Sequence, residues 1–384
     1  MYDVAIVGGG LAGCNAAITL AQRNRRVLLL EANTYPHSKV CGEFLSPECV
    51  SLFSESGFLA FLGDLNPVTI RTVRLTASGG SIWTTDFPSP ALGISRYVLD
   101  AAMAKYAENE GVNVQDGVRV TRITGNLEDS FSLEARTPEG SKTFQAATVI
   151  AAHGKRSNLD RSLKRTFLSQ HQPYIGLKRH FRGAPMHGRI DLHGFSGGYC
   201  GISEIEEGMS NVCLLVRQNV FQSAIDTSRT NLDGFIQWMC TQNSHLNEWM
   251  SQATPVDSDW LSIGQIPFVA KTSLEGDVLM VGDAAGMVAP LAGDGMAMAL
   301  HSGKLAATFI DRYLSQQLTA PELKNQYTCT WNNHFHSRLR LGRVLQSVIL
   351  RPALLTPGLR LLNLLPALGN FLMTHTRDLA LMER

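Results

Sequence analysis

The pattern of apolar and polar positions at the start of the chain predicts a strand, a tight turn, a helix and a second strand. Residues 2–21 read YDVAIVGGGLAGCNAAITLA, an apolar run followed by glycines and then by an alanine-rich stretch. A second apolar run, RVLLLEA at residues 26–32, comes shortly after. Short apolar runs that alternate with a helical stretch are typical of a βαβ unit with buried parallel strands.

Three glycines after the first strand, Gly8, Gly10 and Gly13, fit the spacing G-x-G-x-x-G. In this motif the first glycine allows a tight turn, the second lets the backbone approach a pyrophosphate, and the third lets the helix pack on the strand. The free N–H groups of the helix N-terminus attract phosphate. Glu31 ends the second strand, where a carboxylate accepts hydrogen bonds from ribose hydroxyls. We therefore predict an adenosine-diphosphate site, to which we also assign Ala12 and Ala32.

Residues 276–303, GDVLMVGDAAGMVAPLAGDGMAMALHSG, repeat the order of strand, turn, loop and small-residue helix. The predicted strand is 278–281, and the predicted helix begins at about Met296. The loop before this helix carries Pro290, Gly293 and Gly295. This stretch resembles the G-D motif and the following P-x-x-G-x-G loop of FAD enzymes of the glutathione-reductase type. The resemblance is to the branch that holds the aromatic hydroxylases, the geranylgeranyl reductases and the flavin-dependent halogenases.

This resemblance implies a non-covalently bound FAD. In that branch the aspartate, here Asp283, hydrogen-bonds the ribityl chain, and the N–H groups of the loop face the pyrimidine end of the flavin. A helix N-terminus aimed at that edge stabilises the reduced, anionic ring. The resemblance also implies that Arg96, which opens a helix, lies near the cofactor and that backbone at Val120 meets the adenine. The alternative for Arg96 is a surface helix cap. The residues assigned to the flavin end are Gly282, Asp283, Gly293, Gly295 and Met296.

Residues 147–161, ATVIAAHGKRSNLDR, resemble the G-A-D-G-x-x-S segment of the hydroxylases, whose aspartate serves both FAD and NAD(P)H. This chain has His153 at the aspartate position. We expect NADPH or NADH as the electron donor, and ferredoxin or a separate reductase stays open. The Trp-x-Trp-x-Ile-Pro segment of the halogenases occurs nowhere in the sequence, so we do not expect halogenation.

A second domain is predicted from alternating apolar and polar positions. Residues 69–87 alternate around a Ser-Gly-Gly turn, as a hairpin does, and residues 174–217 contain further strand-like runs. We expect an antiparallel sheet that covers the flavin, followed by a helical stretch at 230–250. The predicted division is an FAD-binding domain (1–68, 96–165 and 265–318), a substrate domain (69–95 and 166–264) and a C-terminal helical segment (319–384). The predicted fold class is therefore α/β, a Rossmann-like FAD domain with an inserted antiparallel sheet and a helical tail.

The segment KVCGEFLSPE, residues 39–48, carries the candidate chemistry. The geranylgeranyl reductases have a Cys-Gly pair at this place, which Cys41 and Gly42 match. The resemblance implies that Gly42 lies against the flavin and that the Cys41 thiol donates a proton to a substrate carbon. Glu43 is assigned to orient a water or to tune the thiol, since a nearby carboxylate raises the pKa of a thiol. The alternative is that Cys41 only packs beside the flavin.

The C-terminal stretch, residues 338–384, combines repeated leucines with arginines and has few acidic residues. We expect Pro352, Pro357 and Pro366 to break it into short helices. Its longest uncharged run, 361–376, is shorter than the roughly 20 apolar residues that cross a bilayer. Three roles stay open: peripheral contact with a membrane, a cap on the substrate pocket, or a dimer interface. Each favours a hydrophobic substrate.

Composition excludes some classes of partner. The net charge is +1, so clustered positive charge for nucleic acid is not expected. The seven cysteines have no metal-site spacing, so we predict no metal and reduced thiols. The first residues show no basic segment or cleavage site, so we expect a cytoplasmic protein, with membrane association through the C-terminal helices as the variant.

The predicted function is FAD-dependent oxidation–reduction on a hydrophobic small molecule, such as a polyketide, an aromatic compound or an isoprenoid. The first choice is a monooxygenase that uses O2 to hydroxylate or epoxidise an electron-rich carbon. The alternative is reduction of isolated double bonds, as in the geranylgeranyl reductases, with Cys41 as proton donor. A third hypothesis is a non-catalytic protein that binds flavin or a prenyl chain, against which the two intact half-sites argue.

Overall fold

The computed structural model describes residues 1–228, 231–288 and 293–369, with side chains up to residue 225 in the helix that ends at Ser228. Pro290 of the predicted loop, residue 230 of the predicted helical stretch and the predicted C-terminal segment beyond residue 369 lie outside the described residues.

The described strands, in chain order, are β1 (Tyr2–Val7), β2 (Val27–Leu30), β3 (Phe44–Leu45), β4 (Val68–Thr76), β5 (Ile82–Gly93), β6 (Asn113–Gln115), β7 (Arg119–Gly125), β8 (Phe131–Thr137), β9 (Gly140–Ala151), β10 (Tyr174–Arg182), β11 (Arg189–Phe195), β12 (Gly198–Ile205), β13 (Met209–Arg217), β14 (Thr254–Pro255), β15 (Leu261–Ile263), β16 (Leu274–Glu275) and β17 (Val278–Met280). The described α-helices are α1 (Leu11–Ala21), α2 (Pro47–Glu55), α3 (Leu59–Gly63), α4 (Arg96–Asn109), α5 (Asn158–Ser162), α6 (Gln218–Ser228), α7 (Leu232–Thr241), α8 (Ser244–Met250), α9 (Gly295–Leu314), α10 (Ala320–Ile349) and α11 (Pro352–Leu364).

The first sheet contains the opening βαβ unit and the strand before the second glycine turn. Its central strands run parallel in the order β17, β9, β1, β2 and β6, and β7 and β8 extend it as an antiparallel pair beside β9. Val4, Ala5 and Ile6 of β1 are fully buried, as expected for a central parallel strand covered on both faces. Helix α1 packs against both α4 and α9. The predicted α/β fold and its opening βαβ unit are confirmed.

The second sheet contains the predicted hairpin, β4 and β5, and the predicted strands β10 to β13. In the order β14, β10, β13, β12, β11, β4, β5 and β3 it is antiparallel, except that β4 and β11 run parallel. One face packs on the helices α7 and α8 through residues such as Phe235 and Trp249. On the other face, Trp83 and Tyr199 belong to a core cluster with Leu355 of α11. The C-terminal segment therefore closes one side of this sheet.

The structure differs from the sequence-based expectations in two helical regions. The stretch predicted at 230–250 is two helices, because the Asn243 side chain accepts hydrogen bonds from the first N–H groups of α8 and starts a new helix there. The prediction that Pro357 breaks the C-terminal stretch was wrong, since it lies inside α11. Leu355 and Leu359, on either side of that proline, are buried against the second sheet, and this packing keeps the helix continuous.

Two short strands lie near the borders of the predicted domains. Strand β15 pairs with β10 of the second sheet. Strand β3 lies within the range 1–68 predicted for the FAD domain, yet it pairs with β5 of the second sheet. The chain therefore crosses between the two sheets immediately after Cys41. Among the described helices, none is both long and apolar enough to span a bilayer.

Candidate active site

A cavity of about 1150 Å³ is lined by residues of both sheets and of the C-terminal helices. Among its lining residues are the turn after β1, the turn after β17, the segment around Cys41 and one face of α11. The sequence-predicted site residues that line it are Gly8, Gly10, Ala12, Glu31, Ala32, Cys41, Gly42, Glu43, Arg96, Val120, Gly282, Asp283, Gly293, Gly295 and Met296. Gly13 lies behind this wall, in the contact between α1 and the glycine turn.

The glycine turn after β1 has no room for side chains. Gly8 has φ +110°, and a Cβ there would lie 2.3 Å from the carbonyl oxygen of Ala152. A Cβ on Gly13 would lie 1.9 Å from the carbonyl oxygen of Gly8. Real Cβ contacts are never this short, so both positions require glycine for helix α1 to begin so close to the strand.

The Glu31 carboxylate lies at the edge of the cavity at the end of β2. Its Oε2 accepts a hydrogen bond from the Gly9 N–H at 2.8 Å, and its Oε1 accepts one from the Asn33 N–H at 3.0 Å. These bonds fix the orientation of the carboxylate, and the residue is only 5% exposed. A carboxylate has about four acceptor sites, so it retains capacity to accept ribose hydroxyls.

Positive charge gathers at the N-terminus of α1. Gly10 precedes this helix, which has no capping side chain and no acidic residue in its first turn. Lys39 Nζ and Arg96 Nη2 each lie 3.5 Å from the position that a Cβ on Gly10 would occupy. Both cations also pair with Asp100, at 2.8 Å for Lys39 and 2.6 Å for Arg96.

The charge of this cluster follows from the pKa of Asp100. Burial alone would raise the pKa of the Asp100 carboxyl, but Arg96 and Lys39 lower it to about 2. Two cations and one carboxylate therefore leave a net positive charge beside the open end of α1. This arrangement suits a pyrophosphate, because both the cations and the free N–H groups favour an anion there.

A second open helix N-terminus faces the same cavity. Helix α9 begins at Gly295, with no capping side chain and no acidic residue in its first turn. A Cβ on Gly303 of this helix would lie 2.2 Å from the carbonyl oxygen of Ala12, so α9 and α1 pack backbone to backbone. The side chain of Arg338, from α10, forms a buried ion pair with Asp294, the residue before α9. Helix α10 thus holds Asp294, the residue that precedes α9.

Two cationic side chains, Lys271 and Arg165, hold the turn after β17 through its carbonyl oxygens. Lys271 Nζ donates to the carbonyl oxygen of Asp283 at 2.7 Å, and Arg165 donates to that of Ala284 at 2.7 Å. Burial lowers the pKa of Lys271 to about 8. His153, at the position where the hydroxylases have aspartate, hydrogen-bonds Asp160 at 2.9 Å. These contacts leave the Asp283 side chain at the cavity.

The residues present fit FAD. Two groups of FAD, the central pyrophosphate and the electron-accepting edge of the flavin ring, each favour a helix N-terminus, and the cavity offers one at α1 and one at α9. The donor set agrees, since cations lie at α1, and Asp283 lies at the turn before α9. The close contacts at Gly13 and Gly303 hold these two helix ends at a fixed separation.

Cys41 lies where the cofactor motifs meet the second sheet. Its Sγ is 3.9 Å from the Sδ of Met296 and 4.0 Å from the Nη1 of Arg96. Its carbonyl oxygen accepts a hydrogen bond from the Asn211 side chain of β13 at 3.0 Å. A Cβ on Gly42 would meet nothing within 4 Å, so the backbone there borders open cavity.

Glu43 is fully buried and holds several groups together. Its carboxylate accepts hydrogen bonds from Lys178 Nζ, from His180 Nε2 at 2.7 Å and from the Arg96 N–H at 2.7 Å. In the part of the chain that the structure describes, Cys41 is not among its hydrogen-bond partners. His180 Nδ1 lies 3.5 Å from a carboxylate oxygen of Asp257, whose side chain is 44% exposed. A line of titratable groups therefore runs from the surface to the cavity wall.

Sequence reasoning missed Lys39, Asp100, Lys178 and His180. A signal for Asp100 was present in the sequence, because Arg96 and Asp100 are four residues apart on one helix, a spacing that favours an ion pair. Lys178 and His180, two residues apart on β10, must point to one face of the sheet. Their partner Glu43 is more than a hundred residues away in sequence, and no local pattern indicates it.

The part of the cavity away from the glycine turns is apolar. Its walls come from β4, β5, β11, β12 and β13 and from the inner face of α11. The apolar side chains at this end include Val73, Leu75, Trp83, Phe87, Ile190, Leu192, Tyr199, Leu215, Leu355, Leu359 and Leu362. All of these side chains lie on the second sheet and α11, so this end of the cavity is separate from the residues that fit FAD.

Comparison with known proteins agrees with this geometry. Residues 1–317 match the family model described as FAD binding domain. The chain is 27% identical over 327 residues to a menaquinone reductase of Mycobacterium tuberculosis, covering 80% of this chain and 76% of the relative. It is 25% identical over 347 residues to digeranylgeranylglycerophospholipid reductase 2 of Methanopyrus kandleri, covering 87% and 83%. The structure of the flavin-dependent brominase Bmp2 superposes with a TM-score of 0.79 at 16% identity, covering 97% and 92%, which shows the fold alone. The predicted resemblance is confirmed.

Proposed function

This chain belongs to the FAD-binding domain family and is an FAD-dependent oxidoreductase, and on that premise we propose that it reduces carbon–carbon double bonds in a long apolar substrate. An isoprenoid chain is the substrate class that suits the site best. The electron donor that we propose is NADPH or NADH.

The observation that carries this proposal is one continuous cavity with Cys41 at its junction. The cofactor motifs form one end, and apolar side chains of the second sheet and α11 form the other. A substrate that fills the apolar end must therefore approach the flavin next to the Cys41 thiol. The two relatives named as reductases align with at least 80% of this chain, which supports the same choice.

FAD, held by the glycine turns after β1 and β17, would supply a hydride to one carbon of the double bond. The other carbon requires a proton, and the Cys41 thiol donates it as general acid. Donation leaves a thiolate, which the Arg96 guanidinium at 4.0 Å stabilises. The substrate has then gained two hydrogen atoms, and the donor has supplied both electrons.

The thiolate must recover a proton before the next turnover. Asp257 meets solvent, His180 bridges from it to Glu43, and Glu43 borders the cavity beside Cys41. We assign these three residues to carry a proton inward. Glu43 then acts through proton supply and through its grip on Lys178, not as a direct partner of the thiol.

Anaerobic turnover tests the proposal. The holoprotein is reduced without oxygen and mixed with a geranylgeranyl-bearing lipid that contains no quinone, and the flavin spectrum and the product mass are followed. We expect flavin reoxidation without O2 and a product that has gained two hydrogen atoms. The monooxygenase, which stays a prediction, requires O2 and adds an oxygen atom to the product. That product, with no anaerobic turnover, would overturn the reductase.

Cys41→Ala isolates the proton donor. We expect product formation to fall by roughly 10²–10⁴-fold, the range for loss of a general acid, with FAD still bound. Cys213→Ala is the matched control, because Cys213 also lines the cavity, and burial raises its pKa to about 12. Equal losses in both variants would show that Cys41 has only a packing role.

A further inference from the structure

Helix α11 is apolar on two opposite faces. On its inner face Leu355 and Leu359 are buried, and Leu362 lines the cavity. Their spacing of four and three residues places them on one side of the helix. This side is covered by the second sheet and by the cavity.

The outer face of α11 presents leucines to solvent. Leu354 is 43% exposed, Leu361 is 46% exposed, Leu364 is 77% exposed and Leu365 is 52% exposed. A single exposed leucine is ordinary, but four within twelve residues of one helix and its end form a patch that normally marks an interaction site. A helix that is apolar on both faces is typical of one that is covered on both sides.

Along the chain from residue 323 to residue 369, the charged side chains all have one sign. Residues 323–369 contain five arginines, one lysine and no aspartate or glutamate. Arg338 is buried in its ion pair with Asp294, whereas Arg351 and Arg360 flank the leucines and are exposed. Exposed arginines beside exposed leucines are the pattern of a helix that lies on an anionic lipid surface.

We propose that the outer face of α11 docks on the surface of an anionic bilayer, with its leucines in the interface and Arg351 and Arg360 at the headgroups. A second copy of this chain suits the face less well. A symmetric dimer through this face would bring the same arginines together, and residues 323–369 supply no carboxylate to pair with them. An acidic headgroup layer supplies the missing negative charge.

The position of the patch relative to the cavity supports this choice. Leu361 is both 46% exposed and part of the cavity wall, so the outer face is continuous with the apolar end of the cavity. A bilayer held against α11 therefore meets the protein where an apolar substrate must enter. The docking itself does not depend on which reaction the site performs.

Vesicle flotation of the full-length holoprotein tests the docking. The probes are vesicles of phosphatidylcholine alone and of phosphatidylcholine with an equal amount of phosphatidylglycerol, at low and high salt. We expect flotation with the anionic vesicles that weakens as salt rises, because the Debye length falls. Leu364→Gln with Leu365→Gln lowers partitioning by roughly tenfold or more. Arg360→Gln lowers it by roughly fivefold.

Matched controls carry the same changes on other surfaces. Val256→Gln alters another exposed aliphatic residue, 44% exposed, and Lys105→Gln removes an exposed cation of α4. Both control variants float like the unchanged protein, and FAD absorbance verifies the fold of every variant. No flotation at low salt, or equal flotation of the leucine variant, overturns the proposal. Sedimentation that shows a dimer dissociated by the leucine variant assigns the face to a second copy and also overturns it.

Discussion

The cofactor half and the substrate half of the cavity are built on different physical grounds. Around the glycine turns, backbone meets backbone, and a Cβ on Gly13 or Gly303 would lie only 1.9 or 2.2 Å from a carbonyl oxygen. Around the apolar end, side chains meet side chains, as Trp83 and Leu355 do in one cluster. The first half specifies residue types one by one, and the second half specifies only shape and polarity.

This difference explains why the cofactor half can be predicted from the sequence. A backbone contact that admits only glycine leaves a motif at fixed spacing, whatever surrounds it. An apolar wall is satisfied by many combinations of leucine, valine and aromatic residues of similar total volume. The sequence therefore predicts which cofactor is bound, but it predicts only the chemical class of the substrate.

The largest change in unfolding free energy is expected at Glu43, which lies where the cofactor half meets the substrate half. Glu43→Gln leaves the buried Lys178 ammonium without its carboxylate, and losing one partner of a buried pair costs about 3–5 kcal/mol of unfolding free energy. Chemical denaturation followed by fluorescence measures this change. Glu55→Gln removes the partner of Lys304 in a partly exposed pair and should cost less than about 1 kcal/mol. Similar losses of unfolding free energy in the two variants would show that the buried pair of Glu43 and Lys178 stabilises the fold no more than an exposed pair does.

A substitution at Gly13 breaks the cofactor half alone. Gly13→Ala pushes α1 from the glycine turn and should lower the unfolding free energy by about 3 kcal/mol, with loss of bound FAD. Gly63→Ala, where a Cβ meets nothing within 4 Å, is the control. The ratio of flavin to protein absorbance and thermal unfolding measure both effects. Retention of FAD by Gly13→Ala would show that the turn tolerates side chains.

Acid should weaken the cofactor half through Asp100. Its folded-state pKa of about 2 is below the ordinary value of 3.8, so its contribution is full above pH 3.8 and disappears as the pH falls toward 2. That contribution is about 2 kcal/mol at neutral pH. The unfolding free energy of the unchanged protein should therefore exceed that of Asp100→Asn at pH 6, with the gap closing near pH 2. A gap independent of pH would contradict this origin.

For the cofactor half the sequence predicts individual residues, and the structure places most of them around one cavity. For the substrate half the sequence predicts only a layout of strands. The glycines, Glu31 and Asp283 follow from motifs whose spacing reflects backbone geometry. The hairpin of β4 and β5 follows from strict alternation around a Ser-Gly-Gly turn. These features depend on neighbours in sequence, which is why a single chain reveals them.

What the sequence did not predict depends on distant neighbours. Two partners of Glu43, Lys178 and His180, lie on β10, which the chain reaches after β5 only by crossing to the first sheet and back. Pro357 looks like a helix breaker, yet packing of Leu355 and Leu359 keeps α11 intact. Both features depend on tertiary contacts, which only the folded structure shows. At Pro357 these contacts also outweigh the local preference of the residue.

The smallest predicted effect separates the two halves most cleanly. Leu362 lines the apolar end of the cavity, so Leu362→Trp should shorten the space for a substrate without touching the cofactor motifs. We expect kcat/KM for a longer isoprenoid substrate to fall roughly tenfold relative to a shorter one. Leu354→Trp places the same side chain on the outer face of α11 and should leave this ratio unchanged. Because the cofactor half depends on backbone contacts elsewhere, FAD content should be equal in both variants. A parallel loss of FAD in Leu362→Trp would mean that the two halves are not independent.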